Sequence, residues 1–436
     1  MSGEAEYKVY GYRWVALAVF GLVLAVQNFL WLSFSPIEKS VQKALGFASN
    51  PTPIRILALV GPLMFVILGS TAGSISDRKG WKFGTAVGVV MITIAGVVKA
   101  ITPHVASSGS VQYWIYLFMQ TLGGAGSVFA MVNLSKMPVK WFPEDRRAMA
   151  NGLTTMFLYL GMAIGFPLVN GIAGIPDNAT IPVIRAGMNQ VLLAVAIIMG
   201  VSAVLYFVLA REEPPTPAGP VPEVEQTSLR ESFPRFMRSA TFRALCVVSL
   251  VGYGVFIAMF VTMEKIITYH GIASGFTSSF ASTVASCMII GGIAGAAVIP
   301  GLSEKVGLRK PFLILAAAVG IPGTLLMGFV PSKPLGIIAA LLTGFCLLPA
   351  LPITFTIVGE MEEIGPRLAA TAVGTVLALG SLGSVAVPLL MELFGQKKTA
   401  DIVDYRWAIV FLAALVVIAL VVILKYVRET GPKVRA

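Results

Sequence analysis

The side chains able to do chemistry in this chain are few, and their spacing is not that of an enzyme. The only histidines are His104 and His270, and the three cysteines, Cys246, Cys287 and Cys346, fall singly inside apolar runs without metal or disulfide spacing. No glycine loop ends in Lys-Ser or Lys-Thr to cradle a phosphate. We therefore assign no catalytic residue, no metal site and no cofactor. What remains is non-covalent recognition by amides and rings inside apolar stretches. Gln27, Asn28 and Trp31, then Gln120 and Asn133, then Tyr159, then Tyr253 with Phe256 and Phe260, combine hydrogen bonding with aromatic faces. Burying an amide in hydrocarbon is costly, which makes the adjacent Gln27 and Asn28 the strongest candidates for binding residues. Such a lining suits a neutral, zwitterionic or cationic organic solute, the last through ring quadrupoles. No acid and no arginine falls near the middle of the first, fourth, seventh or tenth apolar run, which argues against a solute with a strong fixed negative charge. The same lack leaves a coupling ion, proton or sodium, open.

The elements that must position these residues are membrane helices. Hydrophobic residues make up 56% of the chain and charged ones 12%, with a mean hydropathy of +0.85, the composition of an integral membrane protein. Runs of roughly 20 apolar residues, enough to cross about 30 Å of hydrocarbon, occur at Trp14–Phe34, Ile54–Ile75, Phe83–Ile101, Val111–Leu134, Ala148–Ile172, Gly187–Leu209, Ala244–Met263, Thr277–Pro300, Pro311–Val330, Pro334–Val358, Ala369–Met391 and Ala408–Val427. The first run has the length of a retained helix and not of a cleaved signal. The expected fold is all-α, with twelve transmembrane helices in two pseudo-symmetric six-helix bundles, residues 1–210 and 244–436. Between them, residues 211–243 carry six prolines and read as a tether. Within the tether, Leu229, Phe233, Phe236 and Met237 share a helical face beside Arg230, Arg235 and Arg238, the pattern of a short helix lying on a membrane surface. The net charge of +11 is explained by position: 22 of the 32 Lys and Arg, with Lys425 at the end of the last run included, fall at the chain ends and in the even-numbered loops. That excess places both termini and the tether in the cytoplasm, in a plasma membrane protein with no nucleic-acid partner. Near the run ends, Lys99 is expected to snorkel to the outer surface and Lys136 to the inner one.

Two charged stretches mark the repeat. Gly73-Ser74-Ile75-Ser76-Asp77-Arg78-Lys79-Gly80-Trp81-Lys82 reads as a polar turn between the second and third runs, and Pro300 to Lys310 repeats its order of acid, base and glycine. Asp77 answers Glu304 and Gly80 answers Gly307, both at an offset of 227 positions. Glu38-Lys39 after the first run is likewise matched by Glu264-Lys265 after the seventh, at an offset of 226. These dipeptides are read as an external gate of two reciprocal ion pairs, with separate interfacial anchoring as the alternative.

Together the twelve runs, the central tether and the Gly73, Asp77, Arg78, Gly80 and Lys82 pattern resemble the major facilitator superfamily of secondary transporters, Trp81 departing from the base usual at its position. The resemblance implies the major facilitator fold and alternating access, with Asp77 and Arg78 locking the cytoplasmic side near the start of the eleventh helix. Lys140-Trp141-Phe142-Pro143-Glu144-Asp145-Arg146-Arg147-Ala148 is similar to a run of solute and anion porters of that superfamily. It adds Glu144, Arg146 and Arg147, with Glu304, Arg309, Glu360 and Arg367 in the second half, to the expected cytoplasmic gate. Trp31-Leu32-Ser33-Phe34-Ser35-Pro36-Ile37 is similar to the end of the first helix in the feline leukaemia virus subgroup C receptor-related transporters, a group associated with haem, choline and pyridoxine. The reading is a secondary active or facilitative transporter of a small organic solute, monomer favoured, with an anion or organic-acid porter or a ligand-sensing receptor as alternatives.

Overall fold

The computed structural model describes residues 7–47, 52–176, 179–219, 229–268, 276, 278–329, 332–364, 368–397 and 403–435. Twelve spans in it are long and apolar enough to cross a membrane. In chain order they are α1 (Arg13–Trp31), α3 (Thr52–Lys79), α4 (Trp81–Val105), α5 (Gly109–Met131) continued by the short α6 (Lys136–Trp141), α7 (Arg147–Ala173), α8 (Ile181–Leu209), α10 (Ala240–Thr268), α11 (Ser278–Val306), α12 (Lys310–Phe329), α13 (Lys333–Leu347) continued by α14 (Ala350–Glu360), α15 (Ala369–Glu392) and α16 (Arg406–Tyr426). Short helices α2 (Glu38–Leu45), α9 (Leu229–Arg238) and α17 (Pro432–Arg435) lie between or after them. Among the described residues the strands are a two-residue antiparallel pair, β1 (Gln396–Lys397) with β2 (Val403–Asp404). Helices dominate because lipid cannot satisfy backbone N–H and C=O groups, so each span must bond its own.

The charged stretches are where the structure departs from the sequence reading. The Gly73–Lys82 stretch is not a loop: α3 stays helical to Lys79, and the chain reverses at Gly80 alone, with φ 93°. α11 likewise runs to Val306 and breaks at Gly307, with φ 73°. A left-handed backbone at both positions is why glycine occupies them. The helix can run on because the acids inside it find protein partners instead of water, as described below.

Each bundle closes that reversal with a carboxylate from its own end. Glu212, just past α8, accepts from the Trp81 and Lys82 backbone N–H groups at 3.1 and 2.8 Å and so caps α4. Glu429, just past α16, accepts from the Arg309 and Lys310 N–H groups at 2.7 and 2.9 Å and caps the start of α12. Both satisfy orphan donors at a helix N-terminus. Burial pushes the Glu212 carboxyl above its ordinary range, against the two N–H bonds, which pull it down. Trp81, wholly buried, packs edge-on against Phe20 and donates its indole N–H to the Glu212 carbonyl at 2.6 Å. The chain termini sit on this same face: Lys8 N–H bonds Pro217 O at 3.1 Å and Lys433 N–H bonds Gly307 O at 3.2 Å. We call it the terminal face. The short helix expected in the tether is α9, whose Phe236 is fully buried against Phe242 while Phe233 stays exposed.

Candidate functional site

The two bundles meet along α3 with α15 and along α7 with α11. Glycine allows the first approach, because a Cβ at Gly73 would collide with the backbone of Ala370 and Thr371. At the end of that seam the Asp77 carboxylate sits at the N-terminus of α15. It accepts from the Ala370 N–H at 3.3 Å, from the Thr371 N–H at 2.8 Å and from the Thr371 hydroxyl. Lys136 pairs with it at 2.9 Å and also donates to Ser76 O at 2.7 Å, so this lysine is buried and does not snorkel. At the second seam Glu304 accepts from the Met149 N–H at 2.9 Å, at the N-terminus of α7. The two acids, 227 positions apart, thus each reach across to the opposite bundle and hold the same structural feature, a helix start whose N–H groups attract an anion. Ser70 with Thr375 (2.8 Å), Asn151 with Thr356 (3.1 Å) and Ser135 with Phe355 O (3.3 Å) continue the seal toward mid-depth.

Other expected gate residues make contacts within a bundle and, for Arg147, across the seam. Arg309 is buried and clasps Glu360, 2.8 Å at its closest, while Glu360 also accepts from Thr430. Arg147 pairs with Glu144 at 3.6 Å and feels Glu360 electrostatically. Arg146 pairs with the adjacent Asp145 on the exposed surface, and Arg78 is exposed at the end of α3. Lys82 contributes its backbone N–H to the Glu212 cap. Arg367 lies outside the described residues, as do the side chains of Glu38, Lys39, Glu264 and Lys265.

Above the sealed face, at the middle of the bundle, lies a cavity of about 80 Å³ whose walls come from α1, α3, α5, α7, α10, α14 and α15. Gln27, Asn28, Trp31, Gln120, Tyr159 and Tyr253 all line it. Among the described residues no charged one does. Phe65, Met131, Met162, Ser249 and Ser381 also contribute and were missed, having no mark in sequence that separates them from packing residues. Trp31 is fixed by its indole N–H to Ala58 O at 2.9 Å, lying over Gly61, where an added Cβ would come within 3.2 Å of the ring. Asn28 spends its amide N–H groups on Leu24 O (3.1 Å) and Leu158 O (3.0 Å), joining α1 to α7. Gln27 differs: its Oε1 is buried with no hydrogen-bond partner among the described residues.

Three expected lining residues are elsewhere. Asn133 is near the terminal face, donating to Ser76 Oγ (3.3 Å), Thr85 Oγ1 (3.2 Å) and Phe129 O (2.9 Å), so it ties α3, α4 and α5 together. Phe256 lines a separate cavity in the second bundle, and Phe260 stacks on it at 6.2 Å and lines neither. Lys99, expected at the outer surface, is instead fully buried behind Gln120. Its ammonium bonds Gln120 Oε1, Ser33 Oγ (3.2 Å) and Leu30 O (3.4 Å) and lies 4.8 Å from the centre of the Phe34 ring. Gln120 Nε2 in turn holds Trp31 O at 3.2 Å. An apolar run long enough to span hides a lysine from water as easily as it exposes one, and only the neighbours on α1 and α5 decide which.

The family model described as Major Facilitator Superfamily matches residues 20–273 and 266–436. The chain belongs to the major facilitator superfamily. Among curated proteins it is 26% identical over 308 residues to solute carrier family 49 member A3 of Xenopus tropicalis, covering 68% of this chain and 59% of that protein. It is 23% identical over 379 residues to the choline/ethanolamine transporter FLVCR1 of Mus terricolor, covering 80% of this chain and 64% of that one. The chain thus spans less than two thirds of these relatives' lengths. Its fold is that of the superfamily transporter FucP, solved in an outward conformation, with a TM-score of 0.72 at 15% identity over 94% of this chain and 97% of that one.

Proposed function

We propose that this chain carries a small organic ammonium compound of the choline or ethanolamine type across the membrane by alternating access. The observation that carries the reading is a cavity with aromatic walls and, among the described residues, no charged lining, bordered by Gln27, whose buried Oε1 has no partner there. An unpaired buried acceptor calls for a donor, and a solute bearing an N–H or O–H group supplies one. Trp31, Tyr159 and Tyr253 offer ring faces to a cationic head, an attraction that strengthens in a desolvated site. The similarity to a choline/ethanolamine transporter supports the same class. A carboxylate-bearing solute fits less well, because Lys99, the buried cation behind Gln120, spends its donors on protein oxygens and does not line the space. The Asp77 and Glu304 bonds hold the terminal face shut, so this is the state closed on the side that the charge distribution assigns to the cytoplasm. Opening toward that side requires both acids to leave their helix starts.

The test is apparent thermal stability of the purified protein with choline, ethanolamine, glucose and citrate, followed by flux into proteoliposomes. Choline or ethanolamine should raise the midpoint, as any ligand of the native state does, and the gain should shrink in Trp31→Ala. Stabilisation by citrate alone would overturn the proposal. Stabilisation by choline without flux would make the chain a receptor.

A further inference from the structure

Beside the central cavity lies a chamber of about 70 Å³, walled by the second bundle except for Tyr159 of α7. It exists because four helices place small residues around one point: Gly252 on α10, Ala316 and Ala317 on α12, Ala350 on α14 and Ala419 on α16. The space at Gly252 is real at atomic scale, since a Cβ added there would meet nothing within 4 Å. Most of the remaining walls are Leu, Val and Ile, with Phe256, the Tyr159 and Tyr253 rings, Ser249 and Thr354 completing them, and among the described residues no charged one borders the chamber. An apolar void of this kind stays dry and takes hydrocarbon. Its partition from the central cavity is thin, because Tyr159, Ser249, Tyr253 and Leu351 line both spaces. Tyr159 bridges that partition from the first bundle by donating to Leu348 O at 3.4 Å, and Leu348 is itself a chamber wall.

From this we infer that the chamber is a tail subsite, and that the preferred substrate is an ammonium compound carrying a short alkyl chain. The head lies among Trp31, Gln27 and Gln120, and the chain passes the Tyr159 and Tyr253 partition into the space beside Gly252. The inference rests on the ammonium reading of the central cavity. A chamber of this volume has room for about five water-sized groups, taking roughly 10–15 Å³ for each, so the chain that fits it is on the order of five or six carbons.

The experiment uses the full chain in lipid nanodiscs and measures binding of tetramethylammonium and of trimethylalkylammonium ions from ethyl to octyl. Tetramethylammonium tests the head site alone. Each added methylene should then raise affinity by roughly two- to fourfold, the worth of transferring one such group out of water, with the rise ending near hexyl. Gly252→Leu and Ala317→Leu fill the chamber from two different helices. Both should keep tetramethylammonium binding within about threefold and flatten the chain-length dependence. Tetramethylammonium binding with no gain along the series overturns the tail subsite and leaves the head reading standing. No binding by any member overturns both. A gain that persists in both filled variants means the chain goes elsewhere, into lipid or the outer vestibule, and also overturns the subsite.

Discussion

The two bundles are near copies at the terminal face and unlike in the middle. At the face each supplies an acid to the other's helix start, Asp77 to α15 and Glu304 to α7, and each caps its own reversal with a glutamate, Glu212 or Glu429. At mid-depth the first bundle contributes the amides and the indole, Gln27, Asn28, Gln120 and Trp31, while the second contributes Tyr253, two serines and an apolar chamber. On the proposed reading, the repeat preserves what would move the protein and frees what it would recognise. Locks must break together if the bundles are to rock, so symmetry serves them. A solute with a polar head has no two-fold axis, and a site for it gains nothing from matched halves.

The largest effect tests whether the locks are in fact equal. Asp77 holds a buried lysine as well as a helix start, whereas Glu304 accepts from a helix start and pairs with no lysine among the described residues. Removing one partner of a buried pair leaves an uncompensated charge, costing about 3–5 kcal/mol. Leaving backbone donors unpaired costs about 1–3 kcal/mol. Asp77→Ala should therefore lower thermal stability well beyond Glu304→Ala, and Asp77→Ala with Lys136→Met should recover most of the difference. Equal losses, with no recovery in the double variant, would mean that Lys136 is indifferent to Asp77.

That asymmetry also shows what sequence could and could not carry. The twelve spans, the two halves and the paired acids were legible because hydropathy and an offset of 227 positions are properties of one strand of text. The depth of Lys99 and Lys136 was not, because an isolated lysine in an apolar run reads as one that reaches for water. Here each instead meets carbonyls and side chains on helices distant in sequence. Asn133 was misplaced for the same reason, an amide being equally at home in a cavity wall and in a knot of helices. Glu212 and Glu429 were missed although a signal existed: Arg211-Glu212 after the sixth span is matched by Arg428-Glu429 after the twelfth.

The next effect breaks the comparison at mid-depth. If recognition belongs to the first bundle, Trp31→Ala should weaken choline binding by about 3- to 30-fold, the equivalent of roughly 0.5–2 kcal/mol for a cation on a ring. Gln27→Ala should cost a hydrogen bond of about 0.5–1.5 kcal/mol, and it should cost less for tetramethylammonium, which has no N–H or O–H to donate. Lys99→Met should act through Gln120, loosening its hold on Trp31 O, and should weaken every ammonium ligand by a similar factor. Isothermal titration of each variant with choline and tetramethylammonium reads all three. Equal losses for both ligands in Gln27→Ala would show that its free oxygen does not meet the donor.

The smallest effect sharpens the likeness of the two reversals. Glu212→Ala and Glu429→Ala each uncap one helix, and each should cost about 0.5–2 kcal/mol, typical of a lost N-cap. Glu212 adds a pH signature. Its carboxyl is raised by burial, so the folded protein binds that proton more tightly than the unfolded chain does. Between the ordinary carboxylate range and the raised value, the stability this group contributes falls as pH rises, because ionising it in the folded state is the less favourable event. Glu212→Gln keeps an oxygen for one N–H and cannot ionise, so its midpoint should lose that downward slope while remaining close to wild type at the acid end. Melting wild type and variant in parallel from pH 4.5 to 8 measures the difference. Identical slopes would mean that the two backbone N–H groups hold the Glu212 carboxylate ionised as readily as water does, and that burial does not govern it.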